Sequence, residues 1–178
     1  NETYFEPMLA HDWHKEKSKI KYPVYSQPKL DGIRCIVKKD GMWSRNGKRI
    51  VSAPHIFESM KHLFEVNPNL IFDGELYADK FANDFNAICS LVKKTKPTAE
   101  DLKASAKAIE YHIYDLPSIN ENFLNRVRHL NSLYLPPCCK VVFTYVVSNE
   151  KMVEELVQKL KEDKIKRLEK QLERESSH

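Results

Sequence analysis

Glycine is scarce: four in 178 residues, with Gly32, Gly41 and Gly47 falling within sixteen residues of one another and Gly74 standing apart. Each is expected to mark a turn or a close backbone approach. Cysteine is equally sparse. Cys35, Cys89, Cys138 and Cys139 show no CxxC spacing, which excludes a disulfide scaffold and points to a reducing interior. The neighbours Cys138 and Cys139 lack the roughly two to four intervening residues that a structural zinc site uses. No run approaches about eighteen consecutive apolar residues, so no membrane-spanning helix is expected. The first ten residues lack the basic start and apolar stretch of a secretory signal. A Gly-x-x-x-x-Gly-Lys-Ser/Thr loop is missing, which excludes a P-loop NTPase, and the histidines show no HExxH spacing; His11-x-x-His14 is only a loose pair.

What is present can fold. At 42% hydrophobic and 30% charged residues the chain can bury a core. The net charge of +4 is small, but it is unevenly spread. Residues 1–50 hold eleven Lys/Arg against six Asp/Glu, whereas residues 149–178 hold eight of each. A basic front half suits either a polyanionic ligand or a solvated basic face.

Strands are expected at Val24–Gln27 and Arg34–Lys38 around Asp31-Gly32. With turns at Asp40-Gly41 and Asn46-Gly47, residues 22–51 read as an antiparallel meander. Pro54–Phe64 reads as a helix with Ser52 as its N-cap, and Leu70–Tyr77 as a strand interrupted by Asp73-Gly74-Glu75. Phe81–Lys94 has helical spacing, and Thr98–Lys107 opens with a capping-box pattern. Ala108–Leu116 alternates as a strand, Glu121–Leu135 is an amphipathic helix, Val141–Val147 is a β-branched strand, and a helix runs from Asn149 to Lys164. The balanced charges of residues 165–178 read as a solvated helical tail. Trp13 and Trp43 are assigned to core packing. The whole reads as one α+β domain with mainly antiparallel sheets flanked by helices.

The densest cluster of chemistry is Gln27-Pro28-Lys29-Leu30-Asp31-Gly32-Ile33-Arg34. A lysine at a strand end can act as a nucleophile if its surroundings favour the neutral amine. The glycine lets backbone N–H groups approach a phosphate, and Arg34 adds a planar fork of donors. An ordinary hairpin carrying a surface Lys and Arg would look the same.

Lys29-Leu30-Asp31-Gly32-Ile33-Arg34 resembles motif I, KxDGxR, of the covalent nucleotidyltransferases: ATP-dependent DNA ligases, RNA ligases and messenger RNA capping enzymes. Companions follow in order. Ser44-Arg45-Asn46-Gly47 resembles the S-R-x-G motif, Phe72-Asp73-Gly74-Glu75-Leu76 resembles motif III, and Tyr111-His112-Ile113-Tyr114-Asp115-Leu116 resembles motif IIIa. Pro7-Met8-Leu9-Ala10 matches an opening common in viral and bacterial ATP-dependent DNA ligases, and the resemblance covers residues 5–148.

It implies a ligase-type nucleotidyltransferase fold and roles for individual residues. Lys29 would attack the α-phosphorus of ATP and carry AMP, with Mg²⁺ neutralising the phosphate oxygens. Glu75 would accept from ribose hydroxyls, and Tyr114, with Tyr111 as an alternative, would lie against the adenine face. Gln27 would contact the adenine edge, Arg34 the ribose or the nicked strand, and Arg45 the nicked strand. Asp31 would order the loop, and the metal ligands stay unassigned. The implied partner is nicked duplex DNA, handled by a monomer in the cytoplasm of a bacterial or virus-infected cell.

The departures are as informative. No E-G-x-[MVI]-x-[RK] strand (motif IV) and no K-x-K pair (motif V) follow, and no glycine occurs after Gly74. No OB domain is expected in this chain. Residues 1–164 therefore read as a partial adenylation domain and 165–178 as a charged helical tail. Truncation and natural degeneration both remain open, and with them a rival reading as a non-catalytic ligase-like module that binds nucleotide or nucleic acid. RNA ligase and capping guanylyltransferase are the enzymatic alternatives.

Overall fold

Alternating side chains on three adjacent strands organise most of the molecule. The computed structural model describes residues 21–81 and 84–176; Pro7-Met8-Leu9-Ala10, His11, Trp13 and His14 lie outside them. The Cα trace packs as two units, the first including residues 29–143 and the second including residues 21–28 and 144–176.

The first unit is built on a five-stranded sheet of order β3-β2-β4-β5-β6: β2 (Ile33–Lys38), β3 (Gly41–Trp43), β4 (Phe72–Tyr77), β5 (Glu110–Asp115) and β6 (Cys139–Val141). All its pairings are antiparallel except β5 with β6. Cys35, Val37, Phe72, Leu76, Tyr111 and Ile113 are buried together in the core. Helix α1 (Pro54–Val66) adds Ile56, Met60, Leu63 and Phe64 at helical spacing. Phe64 meets Phe72 edge-on at 5.7 Å, and burying each such apolar side chain contributes about 1.5–3 kcal/mol. Around this core lie α2 (Phe85–Val92), α3 (Ala99–Ala108) and α4 (Phe123–Ser132). The Thr98 hydroxyl and Asp101 carboxylate form the expected reciprocal capping box on α3.

The second unit holds a two-stranded antiparallel ribbon, β1 (Val24–Ser26) with β7 (Tyr145–Val147), and helix α5 (Glu150–Ser176). Asn149 starts the helix by accepting from the Met152 N–H. The helix is continuous through Lys164.

Several local expectations are corrected. The first strand does not pair with β2, so residues 22–51 are not one meander; Val24 pairs with Val147 instead. Six residues separate β1 from β2, among them Pro28, which has no N–H to give a ladder. The single strand expected at 141–147 is broken into β6 and β7. The β5–β6 ladder stops at Ile113 and Val141, where β5 bulges. Ser52 does not cap α1: Ala53 holds that place with Pro54 behind it, and the Ser52 hydroxyl donates to the Val92 carbonyl at 2.5 Å. Proline at the helix start lacks the N–H that a cap would satisfy. The expected helix from Phe81 shrinks to a 3₁₀ turn, Asp79–Phe81, followed by α2. The strand expected to break at Asp73-Gly74-Glu75 is continuous as β4, Phe72–Tyr77.

Candidate active site

The site lies on the side of the sheet opposite its apolar core. Arg34 on β2 sits across from Glu75 on β4, and Glu75 across from His112 on β5, so the three side chains share one face. Asp73, two residues before Glu75, joins them. Asp73 pairs with Asp115 but Gly74 pairs with Ile113, so β5 carries one extra residue, Tyr114. A bulge of this kind re-aims a side chain, and here it coincides with the ring that enters the site.

Hydrogen bonds fix the arrangement. The Tyr114 hydroxyl donates to Glu75 Oε2 at 2.7 Å and accepts from the Leu30 N–H at 3.3 Å. The lysine-bearing loop is thereby tied to motifs III and IIIa through one phenol. Arg34 grips Asp73 with two bonds, Nε and a terminal nitrogen each donating at 2.6 Å. Its guanidinium lies 5.6 Å from the centre of the Tyr114 ring. Two glycines make this closeness possible. A Cβ on Gly32 would run into the Leu76 carbonyl and lie 2.8 Å from Glu75 Cγ, and one on Gly74 would strike the His112 carbonyl and lie 2.8 Å from the Tyr111 ring. Neither has a positive φ; only Gly41 and Gly47 do, so Gly32 and Gly74 are there for close approach.

Burial sets the electrostatics. It pushes the Glu75 carboxyl up from its ordinary 4.5, while the Tyr114 bond, Arg34 and the Lys29 charge pull it down. Burial likewise raises Asp73 above its ordinary 3.8 against the opposing pull of Arg34. Tyr114 is raised by burial and by the Glu75 charge, so it remains a neutral donor. The Asp73 hydrogen bond holds Arg34 firmly protonated. Burial lowers His112 from 6.5, with Glu110 opposing.

The residues expected from sequence divide clearly. Arg34, Glu75 and Tyr114 come together. Lys29 is exposed, and its charge acts on Glu75. Gln27 belongs to the second unit, where its amide donates to Thr144 Oγ1 at 3.1 Å. Arg45 is exposed at the tip of the turn closed by the Gly47 N–H on the Ser44 carbonyl, and among the described residues it forms no ion pair. Asp31 is exposed. Tyr111 is not in the cluster: it is fully buried, and its hydroxyl donates to the carbonyls of Cys35 and Phe72. Trp43, assigned to the core by sequence, is only half-buried, with Lys38 and Arg49 against its ring. Sequence reasoning missed Asp73 as a member of the site. Its signal was position: two residues from Glu75 on a strand, hence on the same face.

No group of three His, Cys, Asp or Glu gathers among the described residues in a way that would hold a metal. Asp73 is occupied on both oxygens by Arg34, and Glu75 accepts from Tyr114. Mg²⁺ commonly binds through one or two carboxylates together with substrate phosphates. The described residues offer it no ready protein cage.

The family model for the ATP dependent DNA ligase domain matches residues 7–174, and the chain belongs to that family. Among solved structures it is similar to a Lig E DNA ligase studied for DNA binding with a minimal scaffold, at 22% identity and TM-score 0.66, over 90% of this chain and 59% of that one. It is also similar to the ATP-dependent DNA ligase of bacteriophage T7 in complex with ATP, at 16% identity and TM-score 0.55, over 85% and 57%. The Chlorella virus DNA ligase-adenylate gives 17% identity and TM-score 0.50, over 76% and 48%. The fold is thus the α+β nucleotidyltransferase fold of ligases, and the chain spans less than three fifths of the length of each of these relatives. Comparison with curated proteins gives no match. No helix among the described residues is long and apolar enough to cross a membrane.

Proposed function

We propose that this chain is the catalytic front of an ATP-dependent DNA ligase, with residues 1–164 as its partial adenylation domain and 165–178 as a charged helical extension. The observation that carries the reading is the Leu30–Tyr114–Glu75 chain of hydrogen bonds, which holds the Lys29 loop against a buried carboxylate and an aromatic ring. ATP is a substrate in this reading. Lys29 Nζ, deprotonated, attacks the α-phosphorus; the N–P bond forms as the bond to pyrophosphate breaks, leaving AMP on the lysine. Glu75 accepts from the ribose hydroxyls, Tyr114 packs on the adenine and Gln27 reads its edge. Arg34, its fork held by Asp73, turns other N–H donors of its guanidinium toward ribose or phosphate oxygens. Arg45 contacts the nicked strand. Mg²⁺ would supply charge neutralisation at the phosphates. AMP then passes to the 5′-phosphate of a nick in duplex DNA. We place the reaction in the cytoplasm, with the protein acting as a monomer.

The test is label transfer. Protein incubated with α-labelled ATP should become labelled, and a chase with nicked duplex DNA should move the label to the 5′ end. Label taken equally from GTP, or passed to single-stranded RNA and not to nicked DNA, would replace DNA ligation by capping or RNA ligation. No label at all would leave a non-catalytic module.

A further inference from the structure

Cys138 and Cys139 take no part in the site described above, and the fold brings their sulfurs together. The Cys139 N–H donates to the Pro136 carbonyl at 2.9 Å, closing a turn with Pro137 and Cys138 at its centre. Proline suits the second position of such a turn. The Cys138 carbonyl accepts from the Tyr111 N–H at 2.8 Å, and Cys139 opens β6 opposite Tyr111. Neighbours within a strand point to opposite faces. Here only the second cysteine lies in the strand, and the two sulfurs stand 4.0 Å apart. Helix α1 adds a further contact: Ser59 Oγ lies 3.0 Å from Cys138 Sγ, while its hydroxyl donates to the Ile56 carbonyl at 2.8 Å.

We propose that Cys138 and Cys139 form a two-thiolate site for a soft monovalent cation of the copper(I) kind. The number of ligands selects the occupant. Cysteine sulfurs favour copper(I), zinc or iron–sulfur clusters. Structural zinc takes four ligands, and clusters of this kind are held by four protein ligands, typically cysteine thiolates. Among the described residues no third His, Cys, Asp or Glu joins the pair in a way that would hold a metal. Copper(I), a closed-shell ion satisfied by two sulfurs, remains. A metal–sulfur bond of about 2.3 Å lets one ion bridge sulfurs up to about 4.6 Å apart, so the observed 4.0 Å asks for little movement of either side chain.

The site is reachable and its thiols are free. Cys138 is half-buried, Cys139 is buried behind it, and neither is in a disulfide. Burial, with the adjacent Cys138 adding to it, pushes the Cys139 thiol up. On binding, both S–H bonds break, two metal–sulfur bonds form and two protons leave to solvent, with no electron transferred. Affinity therefore rises with pH. The turn and the Tyr111 bond hold the backbone of Cys138 before the ion arrives. The site stands apart from the ligase reading and does not depend on it.

The experiment titrates the full chain, reduced and freed of metal, with copper(I) presented anaerobically by a coloured copper(I) chelator. The chain should withdraw one equivalent, hold it more tightly at higher pH and melt at a higher temperature when loaded, because the ion binds only the folded state. Cys138→Ser and Cys139→Ser should each remove that equivalent. If the buried Cys139→Ser variant fails to fold, Cys138→Ser, in a half-buried turn, decides alone. Cys89→Ser, half-buried on α2, should retain the equivalent. Zinc, which finds no further ligands here, should leave the melting temperature unchanged. An equivalent that survives Cys138→Ser, one lost equally in Cys89→Ser, stabilisation by zinc as large as by copper(I), or no withdrawal by the unaltered chain would overturn the proposal.

Discussion

Two tyrosines three residues apart on one strand show how the sheet divides its labour. Tyr111 is buried, and its hydroxyl is consumed by two backbone carbonyls, at 2.7 Å from Cys35 and 3.1 Å from Phe72. Tyr114 is half-buried; its hydroxyl donates to a carboxylate and accepts from the amide of the loop that carries Lys29. The first closes the core and the second links the Lys29 loop to a charged side chain. The two bidentate arginine pairs repeat the contrast. Arg126 spends its donors on Asp115 and on the Glu121 carbonyl, fastening α4 to the end of β5. Arg34 grips Asp73 within the site and lies against Tyr114. The same pairing fastens a helix in one place and lines the candidate site in the other, and what differs is the neighbour.

The sharpest way to break this comparison is to remove the carboxylate from each arginine pair. Asp73→Asn and Asp115→Asn should each cost about 3–5 kcal/mol in denaturant unfolding, because each leaves a largely buried guanidinium uncompensated. Asp115→Asn should keep ATP-dependent labelling in the protein that remains folded. Asp73→Asn should lose most of it, since Arg34 is no longer aimed. Equal loss of labelling in both variants would erase the distinction.

A smaller effect separates the tyrosines. Tyr111→Phe should cost about 1–3 kcal/mol by orphaning two buried carbonyls, with labelling unaffected. Tyr114→Phe should change unfolding less and slow labelling, because Glu75 loses its donor and the Leu30 amide its acceptor. Melting curves and labelling rates on the same two preparations would check this.

The smallest effect is in pH dependence. Glu75 has a folded-state pKa above its ordinary 4.5, so from that value up to the raised one the folded protein binds more protons than the unfolded chain. Stability contributed there is present at lower pH and lost as pH rises through the window. Glu75→Gln should flatten that decline, with Asp73, also raised, accounting for part of what remains. Unfolding free energies measured across the acid range would show an unchanged slope if Glu75 were ordinarily solvated.

Much of the site's frame was legible because it is local. Alternation gave β5 and its two faces, helical spacing gave the buried side of α1, and Thr98 with Asp101 gave the start of α3. Motif matches put Arg34, Glu75 and Tyr114 on three strands, and the fold makes those strands neighbours. What was not legible depends on distant pairing. Val24 meets Val147 across most of the chain, and no local signal told β1 to leave β2. The break between β6 and β7 follows from a bulge in a neighbouring strand, which residue types at 141–147 do not reveal. Asp73 carried its place in the alternation but not its partner: that Arg34 takes both of its oxygens is a fact of packing.

The proposed function requires Lys29 to stand at a nucleotide site framed by Tyr114 and Glu75. The most direct measurement is the intact mass of the protein before and after incubation with ATP and Mg²⁺, with the adduct mapped by peptide and Lys29→Ala run alongside. A gain of one AMP, located on Lys29 and lost in Lys29→Ala, is the predicted result. No adduct on correctly folded protein, or an adduct that survives Lys29→Ala, would contradict it.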